Sequence, residues 1–471
     1  MKKIILSLLG IAFYFSSLFA QSFLDSVQIK GTVKGFDAGV IRLLGSFAEQ
    51  NYFADSAIVQ AGGTFEFRQL HPYKSGLFFV ILPDYSNFQL LLDTDQKFEL
   101  TTTKGDLIKT MQIKDCQENE LLYQNLMFQA AQEPRYEAIR KKMEGKTPAD
   151  ADYKTAQLEL KQVSADYKNQ VLMYQQKYPN AFFTKFKAAG QNPDLEEPKK
   201  PNGDLDTLRQ LIAYRQKFWD NVDFSDVRLL HTPVIFNKLK RFMTELTPPN
   251  PDSLIQSADF VIQKSLVNKE MFKFISNWIA VYYQPTKTTI MDGEAVQVHV
   301  VNKYFTKELA FWTSGDEIEK IRKRAWEMEG SLMNKKGQDV VALDNNGLTK
   351  SIYALQSPFV VVYMFNTHCE HCMKETPKLK KFAEEWKSKG VEVFSIVLES
   401  SEEEWKEYIA KNQLQTWTNV RDPSNRSIYG KYYVDITPEM YVLNKDRIII
   451  GKNLHTDQLE TIIESENKKK K

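Results

Sequence analysis

Seven apolar or aromatic residues run without a break from Phe359 to Phe365, FVVVYMF, and a Cys-x-x-Cys pair follows within the stretch NTHCEHCMKETP. A short continuous apolar run fits a strand buried on both faces, which requires a sheet covered on both sides. The residues after Cys372, MKETPKLKKFAEEWKSKG, read as a helix. Cys369 then sits at the start of that helix, where free N–H groups and the positive end of the helix dipole favour thiolate over thiol. Cys369 is the expected attacking sulfur, and Cys372, one turn inside, the expected resolving one. His371 between them adds a donor or positive charge that should favour the reduced form and raise the reduction potential. Glu370 suits the helix start, but its charge partly opposes a thiolate at Cys369. Two other readings of the pair exist. Zinc needs four ligands, commonly from two such pairs, and His368, Cys369, His371 and Cys372 are too tightly packed to form one tetrahedron easily. A structural disulfide across so short a loop constrains little.

The rest of the chain divides by periodicity. From Phe23 to about Lys114, short partly alternating runs such as VQIKGTVKG, GVIRLLGS, GTFEFRQL, SGLFFVIL, FQLLLD and KFELTTT are separated by Gly, Asp and Asn, which suggests a small sandwich or barrel. From Glu118 to about Met333 the spacing turns helical. Helices are expected over 118–145, 152–178, 205–219, 234–246, 253–283, 296–312 and 316–333, with the polar, Pro-containing stretch QNPDLEEPKKPNGD as a linker. The aromatics of this region are expected in its core. From Gln338, strands and helices alternate, beginning with a hairpin turned at Asn346-Gly347. The expected fold class is therefore multidomain: an export signal at 1–20, an all-β sandwich-like domain at 21–116, an α-helical domain at 117–333 and an α/β domain at 334–471.

The 471-residue chain carries a formal net charge of +2, which gives no reason to expect nucleic acid as a partner. Lys2 and Lys3 followed by the apolar stretch 4–19 and Leu18-Phe19-Ala20 read as an export signal cleaved near Gln21, and no later stretch could span a membrane. Export places the cysteines in an oxidising compartment, the periplasm or cell envelope. Three cysteines in so long a chain do not hold its folds together. The close pair is a reactive site, and Cys116 is expected to be an isolated, inert thiol.

CEHCMKETP, with Cys369, Cys372, Glu375 and Pro377, resembles the Cys-x-x-Cys-x-x-Glu-x-Pro pattern of thioredoxin-like proteins of the TlpA/ResA type, and ITPEMYVLNKDRIIIGK resembles their cis-proline strand and hairpin. The resemblance covers 338–464. It implies a thioredoxin-like C-terminal fold, a redox disulfide Cys369–Cys372, a cis Thr437-Pro438 bond shaping the docking surface, and a modulating role for Glu375, which shares a helix face with Cys372. Two positions depart from the pattern: His368 stands where tryptophan is usual, and Tyr363 stands where many members bury an aspartate, so proton handling at Cys372 falls to another group. The domain order also resembles a multidomain arrangement of exported thioredoxin-like proteins of Bacteroidetes-type bacteria. The implied function is thiol–disulfide exchange with exported protein substrates, fed by an envelope or membrane electron donor and without metal or cofactor. The family favours a reductase role, as in cytochrome maturation, whereas His371 argues for a more oxidising potential, so the direction stays open. The other function class is an envelope binding or interaction protein in which this domain is regulatory or a structural module.

Overall fold

The computed structural model describes residues 26–285, 287–423 and 430–469. The expected export signal at 1–20 lies outside them. The described residues fall into two compact units, one holding 26–188 with 228–233, the other 189–227 with 234–469. The first three helices belong to the unit of the β-sandwich, and the remaining helices share a unit with the α/β part.

The first unit begins with eight strands: β1 (Val27–Lys34), β2 (Val40–Phe47), β3 (Gln50–Ile58), β4 (Thr64–Gln69), β5 (Gly76–Ile81), β6 (Asn87–Leu92), β7 (Lys97–Thr103) and β8 (Gln112–Lys114). They form two four-stranded sheets, ordered β4-β1-β7-β8 and β3-β2-β5-β6. Alternation decides the faces: Val27, Ile29 and Val33 of β1 are buried while Lys30 and Lys34 are exposed. The edge strand β3 was not expected, because it buries only Ala57 and so carries no apolar alternation. Three helices follow, α1 (Gln117–Met143), α2 (Ala151–Lys177) and α3 (Phe182–Ala189). The first two meet through Ile139, Ala156 and Val163. The short α3, also not expected, is fixed at its start by the Glu118 carboxylate, which accepts from Phe182 N at 2.9 Å and Phe183 N at 2.7 Å.

The second unit opens with α4 (Thr207–Lys217), α5 (Val234–Thr244), α6 (Pro251–Ser265), α7 (Lys269–Tyr282), α8 (Glu294–Tyr304) and α9 (Gly315–Glu329). The stretch expected as one helix over 253–283 is two. Asn268 breaks it by accepting from Glu270 N and Met271 N, an N-cap that starts α7 afresh. Phe218, Trp219 and Phe242 pack ring on ring in the core of this helical part.

The α/β part comprises β9 (Val341–Asp344), β10 (Thr349–Ser351), β11 (Phe359–Phe365), α10 (Glu370–Trp386), β12 (Val391–Val397), α11 (Glu402–Asn412), β13 (Thr418–Arg421), β14 (Glu439–Leu443), β15 (Ile449–Gly451) and α12 (Thr456–Lys469). Its seven-stranded sheet runs β10-β9-β13-β12-β11-β14-β15. β11 is parallel to β12 and antiparallel to β14, and all seven of its residues are buried. Phe359, Val361, Tyr363 and Phe365 face residues of α10, α11 and α12. Val360, Val362 and Met364 face Val340, Ile352, Tyr432 and Val434. Among the described residues no helix is long and apolar enough to cross a membrane.

Gly31 of β1 stands opposite Phe65 of β4, whose ring occupies the space a Cβ would need. Gly31→Ala is expected to displace that ring and cost about 1–3 kcal/mol, read as a lowered urea midpoint. An unchanged midpoint would show that Phe65 repacks freely.

Candidate functional site

β11 ends at Phe365, and four residues carry the chain to the start of α10. Asn366 holds this turn: its side chain accepts from His368 N at 2.8 Å and its carbonyl from Cys369 N at 3.3 Å. The Thr367 hydroxyl meets Ser400 Oγ at 2.9 Å, tying the turn to the loop after β12. Cys369 is the N-cap of α10, and its sulfur accepts from Cys372 N at 3.1 Å. Cys369 and Cys372 are joined as a disulfide with Cα atoms 5.1 Å apart. Cys369 is half-buried, whereas Cys372 is 0% exposed. The Thr437-Pro438 peptide is cis, and the Thr437 carbonyl oxygen lies 3.3 Å from Cys369 Sγ. Fold and turn thus bring Cys369, Cys372, Thr437 and Pro438 together.

The charged residues named from sequence are placed differently from one another. Glu370 and His371 are exposed in the first turn of α10. His368 turns to α11, its Nε2 2.9 Å from Glu404 Oε1. Glu375 is 5% exposed. Its Oε1 accepts from Thr456 N at 2.7 Å at the start of α12, and Lys378 Nζ donates to Oε2 at 3.1 Å. Burial alone would raise this carboxyl, but the hydrogen bonds from Thr456 and the Lys378 ammonium outweigh it and hold it below its ordinary value. Glu375 is therefore ionised at neutral pH.

Where an aspartate was missing, hydroxyls stand. Tyr363 OH and Tyr408 OH both meet Thr376 Oγ1, at 2.9 and 2.8 Å, and approach the Cys372 carbonyl at 3.4 and 3.5 Å. Burial pushes both phenols up, so they stay protonated. Thr376 and Tyr408 were not singled out from the sequence. Thr376 lies one turn beyond Cys372, but Tyr408 arrives from α11 with no spacing signal.

A second polar cluster lies behind the cis-proline strand. Lys452 is 0% exposed. Its ammonium donates to Ser331 O at 2.9 Å and lies 2.5 Å from Glu294 Oε1 and 3.6 Å from Asp292 Oδ1. Glu439, next to Pro438, accepts from Asn453 N at 2.9 Å. One buried cation thus serves several carboxylates. Burial pushes Glu439 up to about 8, with Glu294 adding and Lys452 opposing. Burial also pushes Asp292 up to about 7, again against Lys452. Among the described residues no His, Cys, Asp and Glu are grouped to hold a metal ion. Cys116 is a buried free thiol of the first unit, held against Asn119 Nδ2 at 3.1 Å.

The raised carboxyls fix a sign. Unfolded, Glu439 and Asp292 lose their protons near the ordinary carboxylate range; folded, they keep them to about 8 and about 7. Between those limits the folded chain binds more protons, so their contribution to stability falls as pH rises. The melting temperature is expected to drop from about pH 5 to about pH 8, by a free energy on the order of 2–4 kcal/mol, and to flatten in Glu439→Gln. The same slope in Glu439→Gln and Asp292→Asn would assign the drop elsewhere.

Residues 358–449 match the thioredoxin-like family. The thiol-disulfide oxidoreductase ResA of Bacillus cereus is 24% identical over 124 residues, covering 26% of this chain and 70% of that protein. A thioredoxin-like protein from Bacteroides caccae ATCC 43185 aligns at 18% identity and TM-score 0.47 over 58% of this chain and 99% of its own. A domain of a possible thiol-disulfide isomerase from Cytophaga hutchinsonii ATCC 33406 aligns at 29% identity and TM-score 0.28 over 29% of this chain and 95% of its own. With β11, α10 and the Cys369–Cys372 disulfide inside the matched range, the C-terminal part of the chain is a thioredoxin-like domain.

Proposed function

We propose that the chain is an exported enzyme that exchanges disulfides with envelope proteins through Cys369 and Cys372, working chiefly as a reductase. The observation that carries this reading is the asymmetry of the pair: a half-buried Cys369 at a helix start, beside the Thr437 carbonyl, over a fully buried Cys372. The name of the Bacillus cereus relative supports thiol–disulfide exchange.

In the reducing direction the Cys369 thiolate attacks one sulfur of a substrate disulfide. An S–S bond forms between chain and substrate, and the first substrate thiolate leaves. Cys372, losing its proton, attacks Cys369 Sγ, releases the second substrate thiolate and closes the Cys369–Cys372 disulfide. Two electrons have passed to the substrate, and an envelope dithiol donor must return two to the chain. The Cys372 N–H and the start of α10 stabilise the Cys369 thiolate. Thr437-Pro438 offers a backbone edge for the substrate beside that sulfur. His371 and Glu370 oppose each other in tuning it.

Glu375 modulates the resolving step. Ionised on the buried face of α10, it opposes a second negative charge near the cysteines and accepts a proton as Cys372 reacts. Glu375→Gln keeps an oxygen for Thr456 N and removes the charge. It is expected to slow insulin reduction by about tenfold and to alter its pH profile, with circular dichroism unchanged. Wild-type kinetics from about pH 6 to 9 would reduce Glu375 to a cap of α12.

The cysteine roles have their own check. In the reduced chain Cys369 is expected to alkylate first, with a pKa below the roughly 8.5 of a free thiol. Faster alkylation of Cys372 would reverse the assignment, and a Cys372→Ala variant that captures no mixed disulfide would count against exchange itself.

A further inference from the structure

A groove of about 750 Å³ lies within the second unit, between Pro285 with residues 288–294 and the residues around 433–439 and 453–462. Its rim includes Ile436, 63% exposed and adjoining Thr437, whose carbonyl lies 3.3 Å from Cys369 Sγ. Glu294, Asp435, Glu439 and Asp457 line the groove, and none of its described lining residues is Lys or Arg. Two cations paired with these acids lie outside the lining. Lys452 is buried against Glu294, and Arg324 reaches Asp435 at 3.2 Å from outside the lining. Glu439 keeps its proton to about pH 8, so Glu294, Asp435 and Asp457 carry the charge, and these three carboxylates answered by two cations leave an acidic excess. Glu294 is 2% exposed, and although Lys452 reaches its Oε1, its Oε2 meets no hydrogen-bond donor among the described residues. A buried carboxylate oxygen without a donor is costly, and an arriving ammonium or guanidinium would supply one. Met291, Ile436 and Leu454 provide apolar surface for the aliphatic stem that carries such a group.

We propose that this groove is the docking subsite for the stretch of a protein substrate next to its cysteine, and that it takes a stretch bearing lysine or arginine among apolar residues. The inference rests on the exchange function proposed above and adds the chemistry of the substrate. Charge complementarity selects the basic side chain. Continuity through Ile436 and Thr437 places that side chain beside the sulfur under attack. A bare metal ion would leave the apolar wall unused, and an acidic segment would meet three like charges.

The test uses the full chain and one peptide series with a single cysteine and Lys, Leu or Glu two residues away. Binding of the fluorescein-labelled peptides to the Cys369→Ser/Cys372→Ser chain, read by anisotropy, measures the groove without chemistry. Reduction of the same peptides as glutathione mixed disulfides by the wild-type chain measures the dithiol. The Lys peptide is expected to bind about tenfold tighter than the Glu peptide, with the margin shrinking in about 0.5 M salt. Asp457 is exposed, so Asp457→Lys spares the fold and is expected to erase most of the margin, as is Glu294→Gln. Equal binding of all three peptides, each still reduced, would overturn the groove and leave the dithiol function standing. Failure of the wild-type chain to reduce any of them would overturn the exchange function and this inference with it.

Discussion

Complete burial of β11 is the constraint from which the site follows. Seven large side chains, each worth about 1.5–3 kcal/mol when removed from water, must be covered on two faces, and the sheet can do this only with β11 near its middle. A central parallel strand has to be followed by a crossover, here α10 leading to β12. The first residues after the strand therefore emerge at the sheet's end with nowhere to go but into a helix start. Cys369 stands there because the core demands a turn, and its chemistry comes from that turn: an N–H of α10 aimed at the sulfur.

The same packing determines how polar groups survive around the dithiol. Three solutions appear side by side. Beneath Cys372, two phenols and a threonine hydroxyl satisfy one another and the Cys372 carbonyl without any charge. Glu375 keeps its charge because it caps α12 and meets Lys378. Behind the cis-proline strand, Lys452 shares its charge among several acids. The first is insensitive to pH across the neutral range, the second changes only toward acid, and the third titrates near neutrality. The surroundings of Cys372 are thus kept steady while the cluster behind the cis-proline strand responds to pH.

What was legible in the sequence was what local chemistry dictates. The apolar run, the Cys-x-x-Cys pair and the helix after it made β11, Cys369, Cys372 and α10 readable, and Thr-Pro with the following apolar strand marked the neighbouring segment. What was not legible depends on partners distant in the chain. The β3 strand lies at an edge and shows water most of its side chains, so it carries no period. The break at Asn268 is a side-chain cap inside an otherwise continuous helical pattern. Lys452 reads as a surface lysine in a hairpin until Asp292, Glu294 and Ser331, over a hundred residues earlier, are seen to enclose it.

The charges nearest Cys369 do not carry equal weight. Glu370 and His371 are exposed, and His368 is engaged with Glu404 at the surface. Surface charges act through water and a Debye length of about 8–10 Å, so each shifts a neighbouring thiol modestly, and Glu370 offsets His371. The Cys372 N–H, 3.1 Å from the sulfur, is neither screened nor free to move away, because it belongs to a helix locked against a buried strand. A backbone donor fixed in this way stabilises the thiolate in every protonation state of its neighbours. On the proposed function, the surroundings of Cys369 are therefore set first by the fold and only trimmed by the side chains of the CEHC motif.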